Sequence, residues 1–368
     1  MPMDRRHFLQ VTSAGSVGLA GCAAPAVARP TAPRPAAAPV VPAADRKHWV
    51  WVRGDRPEAE WRTLFEQYRE VGITAALIDM PAERYAAIIE LARGYGIEVH
   101  AWMITMMEGG LEDAHPEWYA VNRNGESTAT DPPYVDYYKF MCPTREPVRL
   151  HKVARARKIL ETPGIASLHL DYIRVPDVIL PSALWPTYDI VQDKEYAPYD
   201  YCYCEVCRAT FEARTGIDPL DLEDPSQNEA WKEFRYDAVV EVVQRLRQTA
   251  HAAGSEITAA VFPSPSIARR LVRQDWVRFP LDAVLPMVYN WFYEQGTDWI
   301  EPTVREGVTA LGGRFPLYAG LYVAELTPDA LAEASRRALA GGAHGVVIFE
   351  GVGPTEEHWS ALGSVLRA

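Results

Sequence analysis

The fold is decided by three short apolar runs, HWVWVR (residues 48–53), ITAALIDM (73–80) and IEVHAWMITM (97–106). Strands of a buried parallel sheet have this nearly continuous apolar character. The segments 57–71 and 81–95, which separate the runs, are longer and amphipathic, as crossover helices are. The order strand, helix, strand indicates a parallel βαβ arrangement.

The same alternation of strand and helix continues to the end of the chain. We predict further strands at 165–175, 257–262, 283–289, 317–323 and 345–349. Helices are predicted at 146–161, 228–253, 267–277, 299–311, 329–339 and 356–366. Eight β-then-α units predict the α/β class and a single (β/α)8 TIM barrel, with long loops after strands three and four. A doubly wound open sheet is disfavoured, because no glycine-rich phosphate loop follows the first strand.

The composition excludes several classes of function. The chain is 48% hydrophobic and 23% charged, which is typical of soluble globular proteins. Its 37 basic and 49 acidic residues give a formal net charge of −12, and no basic run offers a footprint for phosphates. We therefore expect no nucleic-acid partner. No stretch reaches the ~20 apolar residues of a membrane span. We also expect no organic cofactor.

The first 45 residues are predicted to direct export rather than to join the fold. Residues 1–21 combine the pair Arg5 and Arg6 with a short apolar run and resemble a twin-arginine signal peptide. The Leu-Ala-Gly-Cys sequence that ends at Cys22 resembles a bacterial lipobox, in which Cys22 would be lipidated. The alternative is that Cys22 is only a small residue in a signal region. Two thirds of residues 22–45 are alanine or proline, and this segment should form an extended tether.

This organisation leaves residues 46–368 as the barrel domain and predicts export to the cell envelope. A diacylated cysteine supplies the two lipid chains that stable membrane attachment needs. We therefore expect a lipoprotein, periplasmic or on the outer surface, that contacts the membrane only through its lipid anchor.

In a barrel of this kind the working face lies at the C-terminal ends of the strands. Asp171 stands at the tip of strand four, and Glu350 directly follows strand eight. An uncompensated carboxylate buried at a strand end is costly, so each of these acids needs either a catalytic or a structural reason. The structural alternative is that Asp171 only pairs with Arg53 or Arg174 to hold loops. The residues near strand ends that we expect to hold substrate are Arg53, Asp79, His100, Trp102, Arg174, Tyr289, Asn290 and Trp291.

Two carboxyl groups across a barrel mouth are the minimum apparatus for hydrolysing a glycosidic bond. A neighbouring arginine would keep Asp171 ionised as nucleophile or base, and apolar surroundings would raise the pKa of Glu350, the general acid. The chain has 11 tryptophans and 18 tyrosines, whose rings can stack on the apolar faces of sugars. The expected substrate is an envelope or environmental polysaccharide or oligosaccharide.

A family resemblance lies in two motifs after strand three. HLDYIRVP (169–176), followed by CYCEVCRATFEARTG (202–216), resembles bacterial glycosyl hydrolases of the family-10-like barrel group, which have a similar His-Leu-Asp-Tyr-x-Arg-x-Pro strand. The resemblance covers residues 48–368 and implies a carbohydrate-active function with Asp171 as the central position. It specifies neither the substrate nor, as an analogy of fold, the reaction.

The cysteines other than Cys22 predict a structural zinc site. Cys-x-Cys-x-x-Cys places the thiolates of Cys202, Cys204 and Cys207 on one loop, and tetrahedral zinc takes a fourth ligand from elsewhere, for which Cys142 is available. An oxidising envelope favours the alternative of disulfides. Free thiols are the third possibility.

The cysteine cluster also resembles that of glycoside hydrolase family 42 β-galactosidases, in which the matching cysteines bind a structural zinc. That family has an Asn-Glu pair at the end of strand four, where this chain has Leu170 and Asp171. The resemblance therefore implies the metal site and not the β-galactosidase activity.

Two other functions stay open. A non-catalytic glycan-binding lipoprotein on a degenerate barrel is the main alternative, because strand seven ends without an acidic residue. A carbohydrate esterase ranks last, since the chain has neither a nucleophile-elbow serine nor a histidine metal triad.

The insertion 177–223 is far longer than an ordinary connection between strand and helix. We predict that the four cysteines attach it to the loop after strand three, so that it forms one wall of the cleft. The wall residues expected from this segment are Trp185, Tyr188 and Tyr199.

Overall fold

The computed structural model describes residues 41–54 and 56–367. The predicted signal peptide (1–21), the lipidation site Cys22 and most of the predicted tether lie outside the described residues. Within the described ranges, no helix combines the length and the apolar character that crossing a membrane requires.

Eight parallel strands form a nearly closed barrel, which confirms the predicted fold class. The strands are β1 (Trp49–Arg53), β2 (Ala75–Asp79), β3 (Glu98–Ile104), β4 (Ser167–Asp171), β5 (Glu256–Val261), β6 (Ala283–Pro286), β7 (Tyr318–Tyr322) and β8 (Gly345–Phe349). Hydrogen bonds join them in the order β6-β5-β4-β3-β2-β1-β8-β7, and the isolated parallel bridges Val284–Leu317 and Met287–Gly320 connect β6 with β7.

Helices connect successive strands. In the first helix, α1 (Glu58–Val71), the buried residues Trp61, Phe65 and Tyr68 recur every three to four positions and form one apolar face. Gly72, with a φ of 94°, ends that helix in the left-handed conformation. The helices are α1 (Glu58–Val71), α2 (Tyr85–Arg93), α3 (Glu146–Leu160), α4 (Trp185–Tyr188), α5 (Glu205–Thr215), α6 (Glu229–Ala252), α7 (Pro265–Val272), α8 (Ile300–Leu311), α9 (Pro328–Ala340) and α10 (Glu356–Leu366).

A chain of hydrogen bonds joins four strands inside the barrel. Trp51 Nε1 donates to His169 Nε2 over 3.0 Å, and His169 Nδ1 lies 2.9 Å from Thr258 Oγ1. Ser167 Oγ lies 3.1 Å from Thr258 Oγ1 and 2.7 Å from His100 Nδ1. All five side chains are buried, and burial lowers the pKa of both histidines, which are therefore neutral. These hydrogen bonds thus connect the polar groups of the interior, although His100 Nε2 has no hydrogen-bond partner.

Strand β4 ends earlier than the sequence predicts. The predicted strand extends to residue 175, but the observed strand stops at Asp171, where the next residue, Tyr172, has a φ of 49°. A positive φ is uncommon for a residue other than glycine and turns the chain sharply. The turn takes Arg174 out of the sheet and leaves Asp171 as the last residue of the strand.

Buried ion pairs hold the long insertion after β4 against the barrel. Asp200 pairs with Arg235 of α6, and Glu195 pairs with Arg273, which follows α7. Both arginines are at most 2% exposed. Tyr203 donates its hydroxyl hydrogen to Asp200 Oδ2 over 2.5 Å. The cysteines are therefore not the only groups that fix this segment.

Candidate active site

A cavity opens where β1, β3, β4, β5 and β8 end, and it contains about 820 Å³ of empty space including its mouth. An apolar pocket with a few convergent polar groups is the usual form of a small-molecule site. Half of the lining residues are aromatic. The four charged ones are Arg53, Asp171, Arg174 and Asp177. The others are Trp51, Trp102, Tyr138, Tyr172, Pro181, Leu184, Ala260, Phe262, Pro263, Met287, Tyr289, Phe292, Tyr293 and Phe349.

The carboxyl group of Asp171 is held by two donors at the end of β4. Oδ2 accepts a hydrogen bond from Trp102 Nε1 over 3.1 Å, and Oδ1 accepts one from the backbone N–H of Tyr172 over 2.7 Å. The residue is only 8% exposed. The orientation of the carboxyl group in the cavity is therefore defined before any ligand binds.

Burial raises the pKa of Asp171 above its ordinary value. The two hydrogen bonds and the charges of Arg53 and Arg174 lower this pKa, but desolvation is the largest effect. From the sequence we expect a neighbouring arginine to keep Asp171 ionised, and the direction of the shift is the opposite. A carboxyl group that retains its proton in an apolar cavity is suited to donate that proton.

Ionisation of Asp171 should therefore destabilise the fold as the pH rises. The unfolded-state pKa of an aspartate is about 3.9, and the folded-state pKa lies above it. Stability is therefore lost between these two values as the pH increases. Because Asp171→Asn removes the ionisable group, we expect the Tm of the variant minus that of the unaltered protein to be more positive at pH 7 than at pH 4. A difference that is constant with pH would contradict the shift.

The side chain of Arg174 is committed to the wall of the cavity. Its Nη1 donates to Asp177 Oδ2 over 2.8 Å and to the carbonyl oxygen of Val175 over 3.0 Å, and Nη2 donates to Tyr138 Oη over 2.7 Å. Tyr138 in turn donates its hydroxyl hydrogen to Asp177 Oδ2. Arg174 thus neutralises Asp177 and braces the segment that follows β4.

Removal of one partner from this buried pair should strongly destabilise the protein. The side chains of Arg174 and Asp177 are 7% and 3% exposed, so Arg174→Met leaves a buried carboxylate without its partner. We expect the free energy of unfolding, measured by urea denaturation, to fall by about 3–5 kcal/mol. Arg93→Met, which breaks an exposed pair with Glu90, is the control and should change it by less than about 1 kcal/mol. Equal effects of the two substitutions would contradict this account.

Two acidic candidates lie outside the cavity lining. Glu350 follows β8, is half-buried, and accepts a hydrogen bond at Oε1 from the backbone N–H of Arg53 over 3.1 Å. It therefore adjoins two lining residues, Arg53 and Phe349. Asp79 ends β2, in register with Arg53 on the neighbouring strand. The carboxyl pair expected from the sequence thus has Asp171 in the cavity and Glu350 at its border.

His100 lies too deep in the barrel to line the cavity. It is the third residue of β3, which continues to Ile104, so it does not lie at the strand end where we expected it to hold substrate. The ring of His100 packs 4.2 Å from that of Trp49, and Nε2 lies 3.7 Å from Oε2 of Glu98, the first residue of the strand. His100 therefore contributes to the interior of the barrel.

Asn290 and Trp291 also lie outside the lining, although Phe292 and Tyr293 of the same short 3₁₀ turn belong to it. Asn290 Nδ2 donates to the carbonyl oxygen of Gln295 over 2.8 Å and closes this turn. Trp291 is half-buried and packs edge-on against the ring of Phe292, with ring centroids 5.1 Å apart.

The remaining sequence candidates come together in the cavity. The ring of Tyr289 stacks on that of Phe349, with centroids 5.9 Å apart and planes 20° apart. Flat aromatic surfaces of this kind suit the apolar faces of sugar rings. The sequence-predicted residues that line the cavity are Arg53, Trp102, Asp171, Arg174 and Tyr289.

Sequence reasoning missed other lining residues, among them Asp177, Tyr138 and Tyr293. Asp177 follows Arg174 by three positions just after a buried strand, and this opposite-charge spacing is a signal that indicates an ion pair. Tyr138 belongs to the loop after β3, and Tyr293 belongs to the turn after β6. Neither segment has a periodic pattern that predicts where its side chains lie.

The four cysteines form a second, buried cluster. The Sγ atoms of Cys142, Cys202, Cys204 and Cys207 all lie within 4.8 Å of one another. Cys142 Sγ is 3.4 Å from Cys207 Sγ and 3.6 Å from Cys204 Sγ. These separations exceed the ~2.05 Å of a disulfide bond, and all four thiols are free. The cluster joins the loop after β3 to the insertion after β4.

The geometry of the cluster fits a four-coordinate metal ion. Thiolates bound to tetrahedral zinc at ~2.3 Å have sulfur atoms about 3.8 Å apart, close to the separations observed here. The four residues are at most 2% exposed. A metal bound by all four would have no position open for a substrate, so the cluster is suited to a structural ion.

The insertion contributes to the cavity through Asp177, Pro181 and Leu184. Tyr199 instead stacks on Tyr134, with ring centroids 4.8 Å apart and planes 3° apart. The predicted wall of the cleft therefore exists, but different residues form it. The aromatic residues that were expected there and lie outside the lining are Trp185, Tyr188 and Tyr199.

Comparisons with known proteins find similarity in structure alone. No family model matches the chain, and no curated protein matches it. The glycoside hydrolase domain of PgaB (BpsB) from Bordetella bronchiseptica is 12% identical, with a TM-score of 0.66 over 87% of this chain and 99% of that domain.

Two β-galactosidases are also similar in structure. The enzyme from the Antarctic haloarchaeon Halorubrum lacusprofundi is 14% identical, with a TM-score of 0.62 over 87% of this chain and 57% of that one. Gan42B, a GH42 β-galactosidase from G. stearothermophilus, is 12% identical, with a TM-score of 0.58 over 88% of this chain and 56% of that one. This chain thus spans little more than half of the β-galactosidases. At these identities the similarity shows a shared barrel fold.

Proposed function

We propose that this protein is a glycoside hydrolase that acts on an envelope or environmental polysaccharide or oligosaccharide. The observation that carries the proposal is the buried carboxyl group of Asp171 in a cavity whose lining is half aromatic. The structural neighbours named as glycoside hydrolases support it. The HLDYIRVP motif supports a place in the family-10-like group.

In this proposal Asp171 is the general acid that protonates the glycosidic oxygen, because burial favours its protonated form. Glu350 is the second carboxyl group, which activates water or stabilises the positive charge that develops at the anomeric carbon. Asp177 is less suited to that role, since Arg174 and Tyr138 already bind its carboxylate. The sugar would be held mainly by the aromatic rings of the cavity.

A hydrolysis screen on a panel of polysaccharides and oligosaccharides tests this proposal. The unaltered protein is expected to release new reducing ends from at least one class of glycan. Glu350→Gln should lower kcat on that glycan more than Asp177→Asn, once both variants are shown to be folded. No release from any glycan by folded protein would contradict the proposal.

A glycan-binding protein without catalytic activity is the second candidate. The observation in its favour is that Glu350 lies outside the cavity lining, so that the lining does not contain the predicted carboxyl pair. Titration calorimetry with the same panel separates the two functions. Binding of a glycan that is not hydrolysed would favour this candidate.

We further propose that the cysteine cluster binds one structural zinc ion per chain. The four buried sulfur atoms and their separations support this choice. Metal analysis of protein purified without chelator is expected to find about one zinc per chain.

Export and lipid anchoring at Cys22 are also proposals, supported by the sequence of residues 1–22 alone. Fractionation of cells that express the full chain tests them. The protein should be recovered with membranes, and Cys22→Ser should release it.

A further inference from the structure

Arg53 lines the cavity from the end of β1 without an ion-pair partner among the described residues. Its Nε atom is buried and finds no hydrogen-bond acceptor there. The guanidinium carbon lies 5.3 Å from the ring centroid of Trp102 and 5.6 Å from that of Phe349. These cation–π contacts hold the group in place, but the rings supply no oxygen acceptor.

The charges of the cavity lining do not cancel when Asp171 is protonated, which is the form that the proposed general acid requires. Arg174 and Asp177 neutralise each other at 2.8 Å. Asp171 is uncharged when it is ready to act as the general acid. Among the lining residues, only the charge of Arg53 then has no opposite charge beside it. Glu350, at the border of the cavity, accepts from the backbone N–H of Arg53 and not from its guanidinium. A half-buried guanidinium whose Nε has no acceptor is costly in such surroundings, and an anion on the ligand would supply that acceptor.

We propose that the sugar bound beside Asp171 carries a carboxylate, as a hexuronic acid does, and that Arg53 recognises this carboxylate. A planar guanidinium binds a carboxylate through two parallel hydrogen bonds, a geometry that suits arginine better than lysine. The inference rests on the proposed hydrolase function and specifies its substrate class. A positively charged amino sugar at this position would be repelled.

A matched pair of substrates tests the inference. One is an oligosaccharide that contains hexuronate, and the other is the same oligosaccharide after chemical reduction of its carboxyl groups to alcohols. Because hydrogen bonds to charged groups are among the stronger ones, kcat/KM of the unaltered protein should be about 10–100-fold higher for the hexuronate form. Arg53→Gln should bring this ratio close to one, and Arg53→Lys should retain part of it. Arg62→Gln, at an exposed arginine of α1, is the control and should keep the ratio.

Several results would overturn the inference. They are a ratio near one for the unaltered protein, a ratio that Arg53→Gln leaves intact, and a sulfated oligosaccharide preferred over the hexuronate form. Thermal melting verifies that the variants fold. If Arg53→Gln does not fold, the ratio for Arg53→Lys alone is compared with that of the unaltered protein.

If neither oligosaccharide is hydrolysed, calorimetry measures their binding instead. Binding of only the hexuronate form, lost in the Arg53 variant, would support the inference while the hydrolase proposal fails. Binding of neither form, or equal binding of both, would overturn the inference.

Discussion

Replacement of Asp171 by asparagine is expected to lower kcat for hydrolysis of a natural glycan by about 10²–10⁴-fold, which is the usual contribution of general acid–base catalysis. Asparagine is similar in shape and can still accept a hydrogen bond from Trp102 Nε1. It has no acidic proton to give to the leaving oxygen. KM, or the Kd measured by calorimetry, should change much less than kcat, because the cavity keeps its shape.

The control for this prediction is Asp113→Asn, at an exposed aspartate in the loop after β3. It should leave both kinetic constants close to those of the unaltered protein. Full activity of a folded Asp171→Asn variant would remove Asp171 from the mechanism, and the acidic group would then have to be sought at Glu350 or Asp177.

Loss of the proposed zinc ion is the second change for which we expect a large effect. Structural zinc contributes on the order of 10 kcal/mol in small zinc domains, and here four buried cysteines join the loop after β3 to the insertion after β4. Cys204→Ser removes one ligand. We expect the zinc content to fall well below one per chain and the insertion to become susceptible to proteolysis. KM should rise, because Pro181 and Leu184 of this segment line the cavity.

The buried ion pairs Asp200–Arg235 and Glu195–Arg273 should limit the damage to the segment itself, so the barrel is expected to keep its circular dichroism spectrum. Thr215→Ser, on the helix that carries Cys207, is the control and should retain zinc. Protein that lacks metal and yet resists proteolysis as well as the unaltered chain would contradict the structural role of the ion.

The barrel could be predicted from the sequence because each buried strand is a short apolar run and each helix has an amphipathic pattern. For β8 the predicted and observed bounds, Gly345–Phe349, are the same. The predicted end of a strand was less accurate where a turn of the backbone, rather than a change in the hydrophobic pattern, ends the strand. Tyr172 leaves the sheet through a positive φ, and a 3₁₀ turn begins at Asn290, soon after β6 ends. An apolar run does not reveal either feature.

The candidate site was predictable in part for the same reason. Asp171 and Arg53 end strands and line the cavity, whereas Asp79 also ends a strand and lies outside the lining. His100 was assigned to the wrong part of β3. The direction of the pKa shift of Asp171 could not be derived from neighbouring residue types. It depends on how completely the carboxyl group is buried, in a cavity whose lining includes residues distant in sequence, such as Tyr138 and Tyr289.

The measurement that tests the role of Asp171 most directly compares two leaving groups. The kcat/KM of the unaltered protein is divided by that of Asp171→Asn. This ratio is measured first on the natural glycan and then on an aryl glycoside of the same sugar. The leaving group of the aryl glycoside departs without protonation, so its hydrolysis does not need a general acid. Our account predicts a ratio of about 10²–10⁴ on the glycan and a ratio close to one on the aryl glycoside. Equal ratios on both substrates would contradict Asp171 as the general acid.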